Sequence, residues 1–134
     1  MAALLTAFLM RTAPRPARWG ELDCTLWPAD WVKEATGYDP AEPYRGSYAT
    51  AAECQALLDR EGGLMAVVTP RMDSRFQRAH ELRAGCVGII ALPFGLAPVA
   101  AGMAAAIRGD VTWLVKGLRG FAMYDVPHLA AWQL

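Results

Sequence analysis

The stretch Trp19-Gly20-Glu21-Leu22-Asp23-Cys24-Thr25-Leu26-Trp27-Pro28-Ala29-Asp30-Trp31-Val32-Lys33-Glu34-Ala35-Thr36-Gly37 decides how this chain is read. Its second half has helical texture, with Trp27 and Trp31 four residues apart on one face, the spacing of core packing. Pro28 limits where that helix starts, because a proline is tolerated only within the first turn. Thr25 as N-cap places Pro28 at the third helical position, and Gly37 closes the other end. Cys24 then lies just ahead of the helix. A cysteine delivered to a helix start meets the positive end of the backbone dipole, which favours the thiolate and is how nucleophilic cysteines are commonly built.

Outward from this stretch, the chain reads as helices followed by strands. Leu4, Leu5, Phe8 and Leu9 form a helical stripe in the first segment. Pro14 and Pro16 break it, and Arg11, Arg15 and Arg18 mark a solvated linker. The apolar run Met1–Met10 has no basic residues before it and no small-residue cleavage site after it. It is expected to pack on the body as an amphipathic helix, not to act as a signal peptide. Residues 38–49 are rich in tyrosine and proline and read as an ordered loop. There, Arg45 is placed to pair with Asp30 or Asp39. Thr50 and Glu53 form a capping box for a helix through Ala56, Leu57 and Leu58 that stops at Gly62-Gly63. Leu64 to Val68 adds a short helical turn before Pro70.

Beyond Pro70 the texture changes. Val87 to Leu92 is an apolar strand ending at the turn Pro93-Phe94-Gly95. Strands are expected over Ala97–Ile107, Val111–Val115, Leu118–Tyr124 and Leu129–Leu134, with a turn at Arg108-Gly109-Asp110. The result is a single α+β domain, 1–134. A terminal helix and linker (1–18) precede a helical half with Cys24 (19–69) and then a small antiparallel sheet drawn as a meander (70–134).

Bulk properties exclude several classes. Thirteen basic residues balance thirteen acidic ones, so charge offers nothing to nucleic acid. No stretch reaches the ~20 apolar residues of a membrane span. Three cysteines, Cys24, Cys54 and Cys86, have neither the spacing of a disulfide framework nor that of a zinc site, and no cofactor or metal is called for. Cys54 and Cys86 read as small core hydrophobes. The apolar fraction of 54% fits either an assembly partner or an Ala-rich core.

The motif set resembles the NlpC-type branch of the papain-like cysteine peptidases, and within it small phage and prophage proteins encoded among tail genes. The likeness rests on Trp19, Gly20, Asp23 and Cys24, on Ala29, Asp30 and Val32, on Thr36, Gly37, Asp39 and Pro40, and on Arg45, Gly46 and Tyr48. It implies a papain-like core with Cys24 aligned to the nucleophile. It also implies a Gly-Asp-Val entry to the first strand and a general-base histidine at the next. The chain instead has Gly85-Cys86-Val87, and Pro98-Val99-Ala100 where the histidine belongs. His80 and His128 are the remaining candidate bases, and both read as surface residues.

The expectation is therefore a structural component of a phage-like tail, at the tip or hub, contacting other tail proteins. It would be made in the host cytoplasm and carried in the virion tail. The alternative is an active peptidoglycan peptidase or amidase with Cys24 as nucleophile and His80 or His128 as base. A host enzyme or binding module of another class would be marked by a parallel sheet, or by no helix after Cys24.

Overall fold

A computed structural model describes residues 2–93, 96 and 99–134. Among them four helices precede five strands: α1 (Ala2–Thr12), α2 (Leu26–Thr36), α3 (Ala51–Glu61), α4 (Leu64–Asp73), β1 (Val87–Ala91), β2 (Met103–Arg108), β3 (Trp113–Lys116), β4 (Phe121–Tyr124) and β5 (His128–Trp132). All pairings are antiparallel, in the order β4-β3-β2-β1-β5. This is the α+β class expected, with an antiparallel sheet and a helix directly after Cys24. The meander holds only for the first four strands. β5 returns across the sheet to pair with β1, Val87 opposite Trp132, with an irregularity between Ile89 and Ile90.

The helical layer is built on aromatic packing. Trp27, Trp31 and Phe8 are essentially inaccessible, and Phe8 lies 6.0 Å from Trp27 and 5.4 Å from Trp31. Each indole N–H has an acceptor. Trp27 donates to the Thr12 hydroxyl at 2.8 Å, tying α2 to α1, and Trp31 donates to the Gly85 carbonyl at 2.9 Å, tying α2 to the entry of β1. Burial of such rings contributes on the order of 5 kcal/mol each as an upper figure. The main core runs from these helices onto Val87, Ile89, Ile107, Leu114 and Trp132 of the sheet. A second cluster, centred on Trp113 with Ile90, Ala104 and Ala106, fills the other face. The buried alanines of β2 and β5 support the Ala-rich-core reading of the composition.

Several boundaries differ from expectation. Residues 64–68 do not end before Pro70: α4 runs ten residues, through Pro70 to Asp73. An interior proline costs about 3 kcal/mol. Tertiary contacts offset it: Leu64, Val67 and Met72 are buried, Arg71 donates to the Pro40 carbonyl, and Tyr38 donates to the Arg71 carbonyl at 3.1 Å. The sheet half therefore begins after residue 73. β2 starts at Met103, because Ala100 to Gly102 form a 3-10 turn; the expected turn at Phe94-Gly95 and the stretch Ala97-Pro98 lie outside the described residues. The Pro/Arg linker is docked, not free. The Ala17 N–H donates to the Leu118 carbonyl at 2.8 Å, while the Arg side chains stay exposed and Arg11 pairs with Glu34.

Gly88 in β1 is required by close approach. A Cβ there would lie 2.6 Å from Cη2 of Trp113 and 2.8 Å from the Ala130 carbonyl oxygen. Gly88→Ala should cost about 1–3 kcal/mol, the range for overpacking. A urea unfolding midpoint shifted down, with altered near-ultraviolet circular dichroism from Trp113, checks this.

Candidate functional site

The turn Trp19–Asp23 is wound around one carboxylate. Asp23 is buried, and its two oxygens accept four hydrogen bonds. Oδ1 accepts from the backbone N–H of Thr25 (3.0 Å) and of Leu26 (2.9 Å). Oδ2 accepts from the backbone N–H of Gly20 (3.0 Å) and from the Tyr48 hydroxyl (2.7 Å). Thr25 sits at the expected N-cap position, but its side chain makes no cap bond. Asp23 does the capping. Its carbonyl also accepts the Trp27 N–H at 2.9 Å, so Cys24 lies just ahead of α2, as expected, in the turn that Asp23 closes. Pro28 has no N–H for the Cys24 carbonyl, which is why regular helix starts at Leu26. Gly20 has φ +80, and a Cβ there would meet the Tyr48 carbonyl oxygen at 1.9 Å, so only glycine fits.

This arrangement reverses the expectation for the thiol. The amides at the start of α2 point at the Asp23 carboxylate, so the helix end that would have favoured a thiolate already holds an anion. Cys24 is partly buried, and its pKa is pushed from 9.0 up to about 11, by burial first and then by the adjacent Asp23 charge. Cys54 is likewise raised to about 11, by burial and Asp23. Tyr48 is raised too, by burial and then Asp23, so its hydroxyl remains the donor to Oδ2.

Arg45 makes both of the pairs expected as alternatives. Its Nη1 lies 2.7 Å from Asp30, and its Nε and Nη2 hold Asp39 at 2.7 and 3.0 Å. Burial raises the Asp30 carboxyl despite Arg45. At Asp39 burial works in the same direction, but the two-pronged Arg45 contact and the Ala41 amide outweigh it and hold the carboxyl low. The loop of 38–49 is thus clamped onto α2. Thr50 caps α3 by accepting the Glu53 N–H at 3.1 Å, but the reciprocal half of the box is a hydroxyl-to-carboxylate bond at 3.2 Å.

Two hollows, of about 160 and 390 Å³, share Cys24, Lys116 and Gly117 in their walls. Lys116 was not singled out by sequence reasoning. Its ammonium is buried at the end of β3 and donates to the carbonyls of Arg15 and Gly117, both at 2.8 Å, with no carboxylate in ion-pair reach among the described residues. Burial, then the charge of Arg15, lowers its pKa. The available signal was a lone lysine ending the apolar run Trp113-Leu114-Val115. Val99 and Ala100 line the smaller hollow. Ala100 and Ala101 adopt φ of 69° and 53°, a costly conformation for alanine, and the Gln55 side chain accepts the Ala100 N–H at 3.0 Å.

Neither candidate base reaches this place. His80 is exposed in the bend after α4. His128 is exposed at the start of β5, its ring 6.0 Å from Trp113. Among the described residues no histidine lines either hollow or hydrogen-bonds the Cys24 thiol. Cys54 and Cys86 are buried, as small core residues should be.

The fold and site define an α+β protein with a cysteine just before a capped helix that packs on an antiparallel sheet. The chain belongs to the family described as Domain of unknown function (DUF6950), which it matches over residues 1–133. No curated protein and no solved structure matches it.

Asp23→Asn replaces a four-acceptor carboxylate with a group that turns an N–H₂ toward buried donors. The expected loss is about 2–3 kcal/mol in urea unfolding. The thiol should also report its environment. Iodoacetamide labelling of Cys24 in the folded chain should rise with pH toward a midpoint near 11, with no plateau at neutral pH. Because the folded pKa exceeds the free value of 9.0, the associated stability is fully present below 9 and is lost as pH rises through 11.

Proposed function

We propose that this chain is a non-catalytic structural component of a phage-like tail, placed at the tip or hub, on a scaffold of the NlpC type. The observation that carries the non-catalytic reading is the Cys24 thiol, held protonated to about 11 in hollows that no described histidine lines. Thiol hydrolysis needs an attacking thiolate and an acid for the leaving amine, and an imidazole ordinarily supplies both. The placement in a tail rests on the motif resemblance, and tail-tip or hub proteins are its partners in this reading.

The remaining motif residues support the same reading through what they do. Gly20, Asp23, Tyr48, Asp30, Asp39 and Arg45 all make contacts within the chain that hold turn, helix and loop together. These contacts serve a folded scaffold whether or not a reaction takes place on it.

Digestion of purified muropeptides by the wild-type chain and by Cys24→Ala tests the catalytic half. Equal turnover at background is expected, and Cys24-dependent cleavage would overturn the proposal. Immunogold labelling of purified particles tests the other half. Label at the tail tip is expected; chain found only free in the lysate would count decisively against a tail component.

A further inference from the structure

The two edges of the sheet are treated differently. The outer edge of β5 is covered by the segment before β1: the Ala79 N–H donates to the Ala131 carbonyl at 2.9 Å, and the Gln133 N–H to the Gln77 carbonyl at 3.1 Å. The outer edge of β4 has no such cover among the described residues. Its sequence, Phe121-Ala122-Met123-Tyr124, contains no charge and no proline, and its register with β3 has no bulge. Of the usual devices that keep an edge strand from pairing, charge, proline and bulge are missing, and only the shortness of the strand remains.

Alternation along the β3–β4 ladder shows which groups point outward. The Gly117 N–H bonds to the Gly120 carbonyl at 2.7 Å, so Ala122 and Tyr124 continue the bonded positions and Phe121 and Met123 turn their N–H and C=O away from β3. These two carry large apolar side chains left in water, Phe121 at 39% and Met123 at 66% exposure, with Leu118 at 71% beside them. Phe121 is anchored by stacking on Trp27 at 6.1 Å, so this end of the edge is held by the core.

We infer that β4 is the seam of a two-fold homodimer, in which the β4 strands of two copies pair antiparallel about Ala122. That register sets Phe121 opposite Met123 of the second copy, and the reverse. Both are outward-bonding positions, so the backbone groups match as hydrogen-bonded pairs. It also brings Arg119, in the 117–120 turn before the strand, to the same end of the seam as Asp125 of the second copy, twice over. A shift of two residues in either direction keeps the backbone bonds but loses both charge matches. The sequence around Ala122 is therefore self-complementary in charge as well as in apolar surface, and this selects a second copy over a foreign strand.

Light scattering across a concentration series reads the outcome. The wild-type chain should approach twice its 14.5 kDa mass as concentration rises. Met123→Pro removes only an outward N–H and should remain monomeric while keeping a cooperative thermal melt. Met123→Lys should do the same without altering the backbone. Arg119→Asp and Asp125→Arg should each weaken self-association by about tenfold. Mixed in equal amounts they should associate again, because every Asp then meets an Arg. A wild-type chain that stays monomeric at every concentration would overturn the proposal. So would a dimer untouched by both Met123 variants, or charge variants that fail to associate when mixed.

Discussion

Four donors converge on the Asp23 carboxylate, and the helical half is arranged around that convergence. A buried carboxylate without partners is costly, whereas one that accepts four hydrogen bonds fixes the position of everything that donates to it. Here the donors come from the turn at Gly20, the first turn of α2 and the loop at Tyr48. The turn direction, the helix start and the return of the loop therefore depend on one another. The bond from Gly46 N–H to the Gly20 carbonyl, at 2.9 Å, closes the same circuit from the other side. The carboxylate also settles the state of its neighbour. Cys24 shares the helix end with a charge of the sign its own thiolate would carry, and that repulsion adds to burial.

The sheet is joined to this half through indoles more than through ion pairs. Trp31 reaches the Gly85 carbonyl at the mouth of β1, and Trp27 is stacked between Phe8 of α1 and Phe121 of β4. Trp132 of β5 donates to Asp73 at 2.8 Å at the end of α4, and the Arg78 guanidinium lies over its ring at 4.9 Å. Rings of this size bridge layers that short side chains could not span, while each N–H fixes direction. The small residues opposite them complete the fit: Gly88 and the alanines of β2 leave the space that Trp113 occupies.

Much of the helical half was legible because its signals are local. Thr25, Pro28 and Gly37 bound α2 through backbone rules that need no tertiary knowledge, and the pairing of Arg45 follows from short-range geometry. The failures came where distant contacts decide. Pro70 reads as a stop, but Tyr38 and Pro40, some thirty residues away, hold the helix through it. β5 pairs with β1 instead of β4, a choice of partner that alternation within a strand does not encode. The burial of Lys116 was invisible for a similar reason. Its acceptor, the carbonyl of Arg15, is a backbone group in the linker that carries no sequence signature. The thiol differs for another reason: a dipole favours the thiolate at an open helix end, but this end is filled by the residue immediately before Cys24.

A motif of this kind is not yet a mechanism. Gly20 is required by the carbonyl of Tyr48, Asp23 by two helix amides, Tyr48 by Asp23, and Arg45 by two carboxylates. Each of these residues answers to a neighbour inside the fold, so each would be kept by a chain that performs no reaction. Cysteine is the exception. No hydrogen-bond geometry of the turn needs sulfur at position 24, and a small side chain of similar volume would serve the packing. Whether such a scaffold hydrolyses a bond therefore depends on what faces its thiol, not on how much of the surrounding pattern survives. Here the described groups sharing the walls of its hollows are a buried ammonium held by carbonyls, the Asp23 carboxylate, the Arg18 guanidinium, the hydroxyl-bearing Thr25 and Tyr124, and a set of apolar side chains. None is an imidazole: the Lys116 nitrogen is engaged as a donor to two carbonyls, and both Asp23 oxygens already accept four hydrogen bonds.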